Sequence, residues 1–142
     1  MNEQQITLVQ ESFEQVRPIA DVAAAMFYDY LFLLDPELRR MFPADLSGQG
    51  KMLMSVLGSA VCGLNNPQAL VPVLKQLGRR HVGYGVQDEH YDVVGAALIL
   101  TLETGLADSF TEEVADAWRA AYDLIATVMK EGAHEVYMPL AA

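Results

Sequence analysis

Helix starts and helix stops follow one another from Asn2 to Pro139, and the alternation that marks a strand never lasts beyond a few residues. A chain with that pattern must fold by packing helix on helix. Asn2 and Gln5 form the polar pair that caps a first helix, which Pro18 breaks near Arg17. A second helix carries DVAAAMFYDYLFLL, and Asp35-Pro36 then opens a short helical turn, PELRRMF. Beyond a Pro-, Ser- and Gly-rich loop from Pro43 to Gly50, a helix from about Ser47 runs to Leu64. Asn65-Asn66-Pro67 stops it and starts another, which reaches about His81 before Gly83-Tyr84-Gly85. Asp88 is expected to cap a helix from about Glu89 to Leu106 that is apolar nearly all round, as a buried helix should be. Ser109, Thr111, Glu112 and Glu113 start the last helix, which runs towards Tyr137 and stops at Met138-Pro139. Gly132 weakens its final turns by ~1 kcal/mol relative to alanine. The pattern predicts one all-α domain over residues 1–142, of about seven helices, without repeats, linkers or low-complexity tracts.

At 142 residues the chain is 52% apolar, so it either spans a membrane or encloses something bulky. Its longest apolar stretch, Val93 to Leu102, is interrupted by Gly95 and Thr101 and falls short of the ~20 residues a membrane helix needs. Met1–Gln5 leads straight into an amphipathic pattern with no signal-peptide layout, so a soluble, cytoplasmic protein is expected. A net charge of -10 argues against nucleic acid, which needs a basic stripe. The single cysteine, Cys62, excludes an intrachain disulfide and an all-cysteine metal site; it is expected to be packed rather than reactive. Three histidines and no H-E-x-x-H arrangement leave little scope for a bare-metal site.

At about 100° per residue, Leu70, Val73, Leu74, Leu77 and His81 share one face of their helix, with Lys75 and Arg79 pointing away. His81 therefore ends a buried stripe beside a glycine break. A histidine so placed is more often a core residue bonded to a backbone carbonyl than a ligand, yet a neutral imidazole on an apolar face is also what a haem iron needs. Tyr28 shares a face with Ala24, Leu31 and Phe32, so its hydroxyl needs a partner. Gln49 precedes Leu53 by one turn, with Val56 and Ala60 continuing the line. These two polar groups could hold one small ligand, or be a backbone-bonded tyrosine and a solvated glutamine.

The segments AMFYDYLFLLDPELRRMFP, SGQGKMLMSVL, LGRRHVGYGVQDEHYDVVGAAL and FTEEVADAWRAAYDLIATVM, in that order and at that spacing, resemble the bacterial single-domain haemoglobins and the globin half of flavohaemoglobins. The likeness runs from about Gln5 to Met129 and implies a globin fold around haem b. It implies that His81 is the proximal, iron-ligating histidine, that Tyr28 and Gln49 are the distal pair, and that Phe42 stacks on the haem with Leu53 over the iron. It places Tyr91 beside the proximal histidine and Arg80 near a propionate, though core packing and a solvated arginine are equally good readings of those two. Met52, Val56, Leu77, Tyr84, Val86 and Val94 fall at the remaining haem-lining positions.

One departure stands out. A glutamate late in the last helix of flavohaemoglobins bonds the tyrosine and the proximal histidine, and here Ala133 takes that place. Glu131 and Glu135 stand two residues to either side, about 200° round the helix, so neither is a simple replacement. The resemblance implies high-affinity capture of oxygen, and of other diatomic ligands such as nitric oxide. The alternative is a nitric oxide dioxygenase; since the chain given stops at Ala142, it would depend on a separate reductase. A sensor or a haem-free interaction protein ranks third. His90 is expected to be exposed or near a propionate, and His134 to lie far from the pocket.

Overall fold

The computed structural model of the chain describes residues 1–137, and its first helix shows how literally the caps are used. Asn2 Oδ1 accepts from the Gln5 amide at 2.8 Å while Gln5 Oε1 accepts from the Asn2 amide at 3.1 Å, closing a reciprocal cap. Among the described residues there are six α-helices and no strand: α1 (Glu3–Val16), α2 (Ala20–Leu34), α3 (Ser47–Cys62), α4 (Pro67–Gly83), α5 (Asp88–Leu106) and α6 (Glu112–Tyr137). The expected helical turn PELRRMF is a 3-10 helix over Pro36–Met41, started by Asp35, whose carboxylate accepts from the Glu37 amide at 3.2 Å. Thr111 Oγ1 accepts from the Val114 amide at 3.2 Å at the start of α6. The expected stop at Met138-Pro139 lies outside the described residues.

Two expectations are corrected. The N-cap of α5 is Gln87, whose amide donates to His90 Nδ1 at 2.9 Å; Asp88 is already helical, and its carboxylate turns out to meet His134 at 2.7 Å. Cys62 is exposed, because Ala60 and Val61 take the buried face of α3 at that point.

Packing follows from small residues at the crossings. The most extensive contact is between α4 and α6, where the backbones nearly touch: a Cβ on Gly78 would lie 2.6 Å from the Met129 carbonyl carbon, and one on Gly132 would lie 2.6 Å from the Lys75 Cα. The sequence reads Gly132 as a local weakness of α6, whereas the structure shows the clearance that lets α4 dock there. Further along α6, the Tyr122 ring lies over Gly95 and its hydroxyl donates to the Tyr91 carbonyl at 2.6 Å. Trp118, 1% exposed, donates its indole N–H to Ser12 Oγ at 2.8 Å and joins α6 to α1. α2 lies along α5, and α3 packs on α2 and α1. α3 and α4 are thus each held by other helices and make few contacts with one another.

Candidate functional site

The apolar face expected on α4 is divided. Leu70, Leu74 and Gly78 are buried, while Leu77 and His81 are half-buried and Val73 and Tyr84 remain 54% and 65% exposed. The same division runs along α3. Gly50, Gly58, Ala60 and Val61 are buried; Leu53, Val56 and Leu57 are half-buried, and Met52 is 63% exposed. Phe42, Val86 and Val94 are also half-buried. Each apolar side chain brought out of water is worth ~1.5–3 kcal/mol. Two partly exposed apolar stripes, on helices that make few contacts with each other, suit an apolar ligand.

His81 is prepared to ligate. Its Nδ1 lies 2.7 Å from the Leu77 carbonyl oxygen, one turn back. A carbonyl can only accept, so Nδ1 carries the proton and Nε2 keeps its lone pair for a metal. Beyond His81 the helix closes in a Schellman turn: the Val86 amide bonds to the His81 carbonyl at 3.0 Å and the Gly85 amide to the Val82 carbonyl at 3.0 Å. That turn needs a left-handed residue, and Gly85 supplies it at φ 86°. The exposed ring of Tyr84 stands edge-on to the imidazole, 5.6 Å between centroids. Replacing Gly85 with alanine should cost ~1–2 kcal/mol of stability, read by chemical denaturation.

Tyr28 is 5% exposed and fixed by three rings, Phe27, Phe42 and Phe32, at 5.1, 5.5 and 6.0 Å. Burial pushes its phenol up to about 12, so at neutral pH it is a proton donor. The hydroxyl donates to the main-chain carbonyl of Gln49 at 3.4 Å, a long bond. The Gln49 side chain itself is exposed, in the first turn of α3. Sequence reasoning missed Arg39, which orders this wall: its guanidinium donates to the carbonyls of Phe42, Pro43 and Ala44 and lies over the Phe32 ring. Its signal was there, a basic residue at the end of a helical turn whose carbonyls lack partners.

The phenols also carry a pH dependence. For a group that is charged when deprotonated, a raised folded pKa means stability that is complete below the unfolded value near 10 and lost as pH climbs towards the folded one. Tyr28, Tyr91 and Tyr122 are all raised, chiefly by burial. Melting temperature should therefore fall between pH 10 and 12, and the fall should be shallower in Tyr28→Phe.

Tyr91 does not pair with His81. Its ring is 6% exposed beneath the Lys130 ammonium, and its hydroxyl is buried with no hydrogen-bond partner among the described residues. Ala133 is buried, Glu131 is exposed, and Glu135 pairs with Lys75 and Arg79, so neither glutamate stands in for the missing carboxylate. An unpartnered buried hydroxyl costs ~1–3 kcal/mol. Tyr91→Phe should therefore raise the melting temperature by a few degrees; an equal drop would mean that the hydroxyl is bonded. Arg80 is exposed beside this face, His90 is occupied as a helix cap, and His134 as the partner of Asp88.

The fold is shared with known proteins. Flavohemoproteins of Rhodopirellula baltica and Bordetella parapertussis are 28% and 33% identical over 94% and 72% of this chain. The chain spans about a third of the length of the first and a quarter of the second, 34% and 26%. An engineered carbene transferase from Rhodothermus marinus, provisionally described as a nitric oxide dioxygenase, superposes with a TM-score of 0.85 at 28% identity, covering 96% of both chains. A bacterial globin from Campylobacter jejuni shares the fold at TM-score 0.85 and 24% identity, covering 96% of this chain and 99% of its own. The globin family model matches residues 25–129, from the middle of α2 through most of α6. That match covers well over half of the sequence, and this chain belongs to the globin family.

Proposed function

We propose that the chain binds haem b through His81 Nε2 and reversibly captures oxygen and other diatomic ligands with high affinity. The observation that carries this reading is the 2.7 Å bond from His81 Nδ1 to the Leu77 carbonyl, which leaves the opposite ring nitrogen with its lone pair on a half-buried apolar face. Haem, when bound, supplies an iron with one open coordination position and a flat apolar body. Leu53, Val56, Met52, Leu77, Tyr84, Val86 and Val94 are the side chains it would cover, with Phe42 stacked on it and Arg80 near a propionate.

What the chain adds is a donor in a dry place. Tyr28 stays protonated, and its present bond to Gln49 is long enough to be exchanged for a better one. A diatomic ligand that gathers negative charge would accept a hydrogen bond from Tyr28, with the Gln49 amide as a second donor. A hydrogen bond to a charged acceptor is worth ~1.5–3 kcal/mol, and 1.4 kcal/mol is about tenfold. Tyr28→Phe should therefore release oxygen about 10- to 100-fold faster in stopped-flow displacement. An unchanged release rate would remove Tyr28 from the site.

A second reading, nitric oxide dioxygenase supported by a separate reductase, is favoured by the likeness to flavohemoproteins and to the Rhodothermus marinus protein. Mixing oxygen-loaded protein with nitric oxide and a reductase separates the two: sustained nitrate output belongs to the enzyme, a single turnover to the carrier. Among the described residues no helix is long and apolar enough to cross a membrane.

A further inference from the structure

Charge is divided sharply between the surface and the interior. All nineteen acidic side chains are exposed except Asp35, which is half-buried and accepts from the Glu37 amide. Among the described residues the buried polar side chains are neutral: Ser12, Thr101, Trp118, Tyr28 and Tyr91. Burial raises the phenols of Tyr28 and Tyr91, so both keep their protons at neutral pH. The acids on the elements around His81 stay at the surface. Asp88 pairs with His134 and Glu135 with Lys75 and Arg79, while Asp92 and Glu131 are exposed.

The inward face of α6 carries no anion either. Ala126, Met129 and Ala133 are buried at helical spacing, and Lys130 is half-buried with its ammonium 5.5 Å from the centre of the Tyr91 ring. Side chains on a helix lean towards its N-terminus. One longer than alanine at position 133 would therefore lean over the turn of Met129 and Lys130, beside Tyr91. Alanine reaches no further than its methyl, and the Tyr91 hydroxyl is left buried without a partner among the described residues. His81 Nδ1 is bonded to a neutral peptide group, the Leu77 carbonyl. A carboxylate partner would make the ring a more basic ligand; a carbonyl does so less.

We infer that Ala133 sets the redox poise of the haem site: by leaving the His81 side of the fold without a carboxylate, it favours ferrous iron, the state that binds oxygen, over ferric. The inference rests on the haem-binding reading above and deepens it towards carriage. Loss of one electron leaves the iron and its dianionic ring with a net positive charge. Burying a charge is costly unless something pairs with it, and the ammonium that stands over Tyr91 has the wrong sign. One carboxylate is enough to change this measurably. At an effective dielectric constant of ~20, a unit charge within ~12 Å shifts a one-electron equilibrium about tenfold. An enzyme that oxidises its ligand and is re-reduced at each turnover must tolerate ferric iron; a carrier must avoid it.

The test is a spectroelectrochemical titration of the haem-loaded full chain with soluble mediators, one electron passing between electrode and iron. It is carried from about pH 6 to 9, because a buried carboxyl can hold its proton well above the usual range. Once its carboxyl is ionised, Ala133→Glu should shift the equilibrium about tenfold towards ferric, a potential about 59 mV lower. Ala133→Gln, of the same size and uncharged, should match the unmodified chain. If Ala133→Glu does not fold, Lys130→Glu replaces a cation by an anion at a half-buried position on the same helix. It should move the equilibrium in the same direction, and Lys130→Gln should move it less. A potential unmoved at every pH in Ala133→Glu, or moved equally by Ala133→Gln, overturns the inference, as does an unmoved one in Lys130→Glu where that variant stands in. A chain that takes up no haem removes the proposed function and this inference together; haem uptake with equal potentials removes this inference alone.

Discussion

Gly78→Ala is expected to destabilise the fold by about 3 kcal/mol, the upper part of the usual range for overpacking, and to lower the melting temperature by roughly 10 °C. Helix propensity alone predicts the opposite, since alanine in a helix is ~1 kcal/mol better than glycine. Sterics win because the atoms in the way are backbone. The new methyl would lie 2.6 Å from the Met129 carbonyl carbon and 2.9 Å from its Cα. No rotamer relieves that, so α4 and α6 must separate along their most extensive contact. Gly132→Ala meets the Lys75 backbone in the same way. The two costs should not add, because the first substitution opens the gap the second needs. Gly83→Ala, on the same helix with nothing within 4 Å of its Cβ position, is the control and should be neutral or slightly stabilising. Equal melting temperatures for Gly78→Ala and Gly83→Ala would show that the crossing is looser than drawn.

Those glycines mark where the sequence stopped being legible. Helix order, all six helix starts to within about two residues, and the apolar character of α5 follow from local signals: a capping pair, a proline, a glycine break. Such signals act within one turn and are written in consecutive letters. The partner of Gly78 is a carbonyl fifty-one positions away, and no local pattern separates a glycine that weakens a helix from one that admits a neighbour. The same limit split the face of α4. Periodicity grouped Leu70, Val73, Leu74, Leu77 and His81, but only the tertiary structure divides that arc into a part turned to α6 and a part left open. Asp88 failed as a cap for a related reason: its carboxylate found His134, forty-six positions on, and Gln87 took the cap. The site residues were named through family likeness, and what the structure adds is their present partners: Leu77 for His81, the Gln49 main chain for Tyr28, and none for the Tyr91 hydroxyl.

His81→Gly is expected to abolish tight haem binding, and millimolar imidazole should restore it. Even if coordination contributes only ~4 kcal/mol, its loss weakens affinity about a thousandfold. The apolar stripes on α3 and α4 remain in that variant, so haem should still associate loosely, with a broad Soret band in place of a sharp one. The glycine itself costs ~1 kcal/mol in helix propensity, and that loss affects stability whether or not imidazole is present. Rescue by imidazole therefore separates ligation from folding: free imidazole can occupy the vacated space and present a nitrogen, but it cannot repair a helix. His90→Ala is the matching control. It removes the group that accepts the Gln87 amide at the start of α5, so it should cost about 0.5–2 kcal/mol of stability and leave the haem spectrum alone. If His81→Gly keeps a sharp Soret band without imidazole, or if His90→Ala loses it, the axial ligand is not the imidazole whose Nδ1 is bonded to the Leu77 carbonyl, and the proposed pocket chemistry fails with it.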